Sequence, residues 1–269
     1  GLGPHGFSET QSNVAAVEVS LELFVAVFAG EETQMSISQP QKKRAEGVPV
    51  ASCWNCKGAV SGAHFCAACG KIQPLPGGWD YFRFFGLPQK LTIDPAELEG
   101  QFHILSWKLH PDNFVRAGEF ERNLSLERSS ELNDAYRTLR EPISRVEYLL
   151  EHLGVRKEGT TKQQAPPELL EEVFELNESL DELREARAGG GDVAGLRRRL
   201  DAAAVNFQEK LAKVDAELLK IGGEWDAAVD SYADDARRGA LLARMNEVLN
   251  RRSYIRNLVA GVQKELAEA

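Results

Sequence analysis

The chain has 269 residues, 43% hydrophobic and 27% charged, which suits one to three globular domains and excludes collagen-like, mucin-like and wholly disordered classes. A formal net charge of −9 argues against a nucleic-acid binder working by counterion release, because that needs a basic face. All four cysteines fall between residues 53 and 69, a clustering that suits a metal site in a reducing compartment rather than a disulfide framework.

The most apolar early stretch, Val14 to Ala29, is interrupted by Glu18 and Glu22, short of the run of about 20 residues that crosses a membrane. Residues 1–34 contain no Lys or Arg, unlike a secretory signal or a transit peptide, so no membrane association and a cytoplasmic location are expected. Met35 is the only methionine before Met245, which suggests translation starting there. Residues 1–50 are accordingly expected to be a disordered or non-native extension, with the polar, proline-containing segment 36–50 reading as a linker.

Cys53-Trp54-Asn55-Cys56 and Cys66-Ala67-Ala68-Cys69 are two C-x-x-C knuckles separated by nine residues. Two residues between thiolates let a tight turn aim both sulfurs at one ion, and two such turns complete a tetrahedron. Cys53, Cys56, Cys66 and Cys69 therefore predict a zinc-ribbon-like module over 51–72 holding one structural zinc ion. Such binding supplies about 10–16 kcal/mol and folds a segment too small for its own core. Iron in a rubredoxin-like redox carrier is the rival occupant. With four sulfurs present, His64 reads as a loop histidine rather than a ligand.

A connector at 72–78 leads to helical periodicity that persists from Trp79 onward. Asp94-Pro95-Ala96-Glu97 opens a helix with Leu98, Phe102, Leu105 and Leu109 on one stripe, ending before Pro111. A second helix over about 118–140 places Leu132, Ala135, Tyr136 and Leu139 on one face, so the two form an antiparallel hairpin whose loop begins His110-Pro111-Asp112. Glu141-Pro142 restarts a short helix carrying Val146, Leu149, Leu150 and Leu153. Three further amphipathic segments predict an antiparallel three-helix bundle over 166–268: one over 167–187, one from Asp192 to the Gly222-Gly223 pair, and one over about 233–266. The fold class is mainly α.

The His-Pro-Asp tripeptide between two amphipathic helices resembles the J-domain family, whose members stimulate a DnaK-like ATPase. More specifically, Trp79-Asp-Tyr-Phe-Arg-Phe-Phe-Gly-Leu, the tripeptide, Asn133-Asp-Ala-Tyr-Arg-Thr-Leu-Arg-Glu-Pro and Arg145-Val-Glu-Tyr-Leu-Leu resemble HscB-type proteins of iron–sulfur cluster biogenesis. Some of these also carry an N-terminal Cys-Trp-x-Cys module. The resemblance implies a J-domain over 78–154 that recruits an HscA/DnaK-type chaperone through His110, Pro111 and Asp112, with Lys108, Asn113 and Arg116 nearby. It also implies that the bundle presents an IscU-type scaffold through Leu170, Phe174, Glu175 and Glu178, with Leu241 as a neighbour. At their spacing of four, Leu170 and Phe174 equally fit bundle core. A Lys often follows the tripeptide in J-domains; Asn113 stands here, which should weaken steering towards an acidic partner. Arg116 and Arg122 are candidates to compensate.

No catalytic residue is expected. Gly189-Gly190-Gly191 lacks the Lys-Ser/Thr of a phosphate-binding loop, so no nucleotide site is read into the chain. A general J-domain adaptor with a zinc-ribbon interaction module is the other alternative, although further cysteine knuckles or a Gly/Phe-rich linker would be expected of it. A weak homodimer stays open, and a eukaryotic source would place the protein in the mitochondrial matrix.

Overall fold

The computed structural model describes residues 52–60, 64–75, 79–156 and 166–268. The expectations for the extension over 1–50 lie outside these residues. Among the described residues seven α-helices follow in chain order: α1 Tyr81–Phe84, α2 Pro95–Leu109, α3 Glu119–Arg140, α4 Pro142–His152, α5 Leu170–Gly189, α6 Val193–Asp230 and α7 Asp235–Ala267. Short 3-10 turns at Pro111–Phe114 and Pro167–Leu169 precede α3 and α5. Strand-like pairing among the described residues is limited to isolated bridges, Ser52 to Ala59 and Phe65 to Ile72. The mainly α class expected from the sequence is the one observed.

The described residues form two compact units, one within 52–156 together with 212–252, the other 166–211 together with 253–268. Helices α6 and α7 contribute residues to both.

In the first unit, Asp94 accepts a hydrogen bond from the Ala96 amide at 2.9 Å with Pro95 in the first turn, so α2 begins as its capping residues dictate. Leu98 and Leu109 of α2 are buried, as are Leu132, Ala135 and Leu139 of α3, and the ring of Phe102 stacks on Tyr136 at 4.2 Å. Val146, Leu149 and Leu150 of α4 complete this core. Leu153 falls just past α4 and is 39% exposed.

The expected stop at Gly222-Gly223 is not observed, since α6 runs through both glycines to Asp230. A methyl at position 222 would stand 3.4 Å from Leu91 Cδ1, so this glycine serves close approach to the loop before α2 rather than a helix end. The helical turn that follows holds this loop. Asp226 accepts hydrogen bonds from the Leu91 amide at 2.6 Å and the Thr92 amide at 2.8 Å, and Trp225 Nε1 donates to Gln89 O at 2.9 Å. Arg145 of α4, only 4% exposed, donates to Leu91 O and to Leu139 O, the latter at 2.7 Å. Burial lowers the Arg145 pKa, and the nearby carboxylates of Asp226 and Glu141 offset part of that shift.

α6 and α7 run antiparallel. Within the first unit, Asp215 pairs with Arg252 at 2.5 Å and Glu224 with Arg244 at 2.7 Å, positions that advance on one helix and retreat on the other. In the second unit, Glu172 pairs with Lys210 at 2.9 Å and Glu182 with Arg199 at 3.0 Å, fixing α5 antiparallel to α6. Its core joins Val173, Leu176, Leu180 and Leu183 with Leu200, Phe207, Leu258 and Val262.

Asp226→Ala should destabilise the chain by about 2–4 kcal/mol, because it orphans two amides and removes the carboxylate facing a buried guanidinium. A lower urea midpoint with unchanged slope is the expected result.

Candidate functional site

Each cysteine knuckle is built the same way. Cys53 N donates to Gly58 O at 2.7 Å and Lys57 N to Cys53 O at 3.0 Å; thirteen residues on, Cys66 N donates to Lys71 O and Gly70 N to Cys66 O, both at 2.9 Å. Lys57 and Gly70 hold the equivalent left-handed positions, with φ of 63° and 69°. These turns bring the sulfurs together: Cys53 to Cys69 is 3.6 Å, Cys56 to Cys66 is 3.7 Å, and all four lie within 4.8 Å of one another. Four sulfurs bound tetrahedrally at about 2.3 Å from a zinc ion stand about 3.8 Å apart, so the set fits one metal ion.

Electrostatics favour a cation there. Burial of the Cys53 sulfur opposes ionisation, but amide donors from Cys56 and Asn55 and the sulfurs of Cys69 and Cys56 prevail and lower its thiol to about 6. At Cys56 the Gly58 amide favours the thiolate, yet the sulfur of Cys69, desolvation and the remaining thiols hold it up at about 11. Four thiolates this close require positive charge between them, and a metal binding there displaces protons.

His64 is neither a ligand nor a free loop residue. Its Nε2 lies 2.9 Å from Phe84 O and its ring packs on Phe84 and Trp79 at 4.5 and 5.8 Å, and burial lowers its pKa.

The hairpin tip presents its tripeptide to solvent. The side chains of His110 and Asp112 are 56% and 84% exposed, and His110 Nδ1 lies 3.6 Å from Asp112 Oδ2 and accepts the Asp112 amide at 3.3 Å. Pro111 opens the 3-10 turn and Phe114 anchors it, at 9% exposure. Behind the tip, Leu109 O accepts hydrogen bonds from Ser125 Oγ at 2.7 Å and Ser129 Oγ at 2.9 Å. Lys108 and Arg116 are exposed, whereas the Asn113 side-chain amide is committed to Trp107 O at 2.6 Å and Arg122 to Ala117 O at 3.0 Å.

On α5, Leu170, Phe174, Glu175 and Glu178 are all exposed, Phe174 by 57%. Leu170 and Phe174 are therefore not bundle core; Val173, Leu176 and Leu180 occupy that role on the neighbouring face. Leu241 of α7 is 6% exposed and belongs to the first unit. Sequence reasoning missed Asp226, Trp225 and the bonding of Arg145, which no local pattern announces. Among the described residues no helix is long and apolar enough to cross a membrane.

No family model matches the chain. It is 34% identical over 171 residues to the co-chaperone protein HscB homolog of Vibrio vulnificus, a match spanning 63% of this chain and 94% of that protein. The chain belongs to the HscB co-chaperone family. A second HscB relative, the iron-sulfur cluster co-chaperone protein HscB homolog of Arabidopsis thaliana, is 40% identical over 134 residues, covering 49% of this chain and 52% of its own length. The crystal structure of the human co-chaperone protein HscB superposes with a TM-score of 0.53 at 25% identity, covering 80% of this chain and 98% of that one. α2 and α3 form the helical hairpin of this HscB-family chain, and the cysteine module precedes it.

Cys53→Ser should abolish stoichiometric metal binding and unfold residues before Trp79 while the helical signal persists. Native mass spectrometry and far-ultraviolet circular dichroism check the two halves of that expectation.

Proposed function

We propose that this HscB-family chain is an iron–sulfur cluster co-chaperone that stimulates the ATPase of an HscA/DnaK-type chaperone and delivers an IscU-type scaffold to it, without itself catalysing a reaction. The observation that carries this reading is the exposed imidazole and carboxylate of His110 and Asp112 on a hairpin tip pinned from behind. Asp112 is free to take an arginine of the ATPase in a charge-assisted pair, and Pro111 limits the entropy lost on docking. Lys108 and Arg116 lie beside the tip as cations for an acidic partner; Asn113 contributes by holding the end of α2.

The exposed face of α5 is the scaffold-binding surface in this reading, with Leu170 and Phe174 as apolar contacts and Glu175 and Glu178 as flanking carboxylates. The division of labour is a zinc module over 51–72, a J-domain over 78–154 and a bundle over 166–268. In this reading the ion is zinc, and its role is structural because a closed tetrathiolate set has no open position for substrate. A reducing compartment, the cytoplasm or the mitochondrial matrix, would keep these thiols available.

His110→Gln should lower chaperone ATPase stimulation more than about tenfold while leaving the fold and scaffold affinity intact. Wild-type stimulation in a single-turnover assay would sink the reading. Phe174→Ala should weaken scaffold binding by roughly ten- to thirtyfold without changing stimulation in the absence of scaffold. Calorimetric titration of the variant measures the first effect, and unchanged affinity would remove Phe174 from the surface.

A further inference from the structure

Besides the packing of His64 on Phe84 and Trp79, two contacts of the cysteine module meet the first turn of α3, the segment that follows the hairpin tip. Trp54, inside the first knuckle, sets its ring against Phe120 at 5.0 Å between centroids and donates from Nε1 to Ile72 O at 2.7 Å. Lys71, just past the second knuckle, reaches Glu121 Oε2 at 2.7 Å. The Glu121 side chain is 8% exposed and that of Lys71 41%, so a half-exposed ammonium supplies the counter-charge to a carboxylate that is itself largely out of water.

Phe120 and Glu121 are the second and third residues of α3, and the Gly118 N-cap supplies no side-chain hydrogen bond. Glu121 also complements the positive end of that helix. Residues 115–118 alone separate this turn from the Pro111–Phe114 turn of the tip. Whatever steadies the start of α3 therefore steadies the loop carrying His110 and Asp112.

The module has little interior of its own: Cys53, Cys66, Ile72 and Gln73 are its buried residues among those described. Without an ion it lacks the apolar core to stay folded, so both knuckles would let go together. Trp54 and Lys71 would leave with them, stranding the Glu121 carboxylate without its counter-ion.

We propose that Trp54, Lys71 and Glu121 are positioning residues through which metal bound in the cysteine module braces the first turn of α3 and orders the His110–Asp112 loop. The consequence for chaperone activation rests on the reading of that loop given above; the brace itself does not.

Hydrogen–deuterium exchange on the full chain tests it, comparing metal-loaded, chelator-treated and zinc-reloaded protein. Amides over 112–124 should exchange about tenfold faster after metal removal and recover on reloading, while those of α5 stay unchanged. Glu121→Gln, still carrying one ion per chain, should show the same acceleration, and Lys71→Glu combined with Glu121→Lys should restore much of the protection. Stimulation at subsaturating chaperone should fall alongside.

Unchanged exchange over 112–124 while 52–75 opens overturns the brace, as does a fully metallated Glu121→Gln with wild-type protection. Should chelation unfold the chain more widely, the metallated Glu121→Gln decides the matter. If His110→Gln keeps full stimulation, the role of the loop fails instead, and the exchange result still stands or falls by itself.

Discussion

The carbonyl of Leu109 is the point on which the tip of the helical hairpin depends. Pro111 prevents α2 from continuing, so its last carbonyls have no intrahelical donors and must find others. Leu109 O takes two hydroxyls from the middle of α3, and Trp107 O takes the amide of Asn113. Each bond adds only about 1 kcal/mol, but together they fix the place where one helix ends against the flank of the next. His110 and Asp112 consequently sit at a defined spot, exposed yet with little conformational freedom.

A second tie works at the opposite end of α2. The peptide of Leu91 is held on both sides, its amide by Asp226 of α6 and its carbonyl by Arg145 of α4. A buried guanidinium is costly unless hydrogen-bonded and faced by negative charge, and here backbone carbonyls and the Asp226 carboxylate supply both. The hairpin is thereby secured at its tip by hydroxyls and at its base by an ionic junction. Gly222 makes the junction feasible by letting the backbone of α6 come close to Leu91.

Cations are sparse around the tip, as the overall acidity suggests. Lys108 and Arg116 are exposed, whereas the Arg122 guanidinium is bonded to its own backbone. The exposed face of α2 instead shows Ile104 at 48% and Trp107 at 74%.

The sequence by itself determined what rests on near neighbours: the knuckles, from residues three apart; the start of α2, from Asp94 and Pro95; its end, from Pro111; and the hairpin, from two stripes joined by a short loop. Those features obey local steric and hydrogen-bonding rules that hold wherever the segment is placed. Tertiary structure alone decided what each face meets. Helical spacing put Leu170 and Phe174 on one face without saying whether that face is covered, and it is the neighbouring face, with Val173 and Leu176, that packs inward. Gly222-Gly223 reads locally as a stop, but packing carries α6 through it because the helix gains Trp225 and Asp226 as anchors for a loop more than 130 residues away in sequence. His64, Lys71 and Trp54 likewise took their roles from residues far along the chain, where only folding could bring the partners within reach.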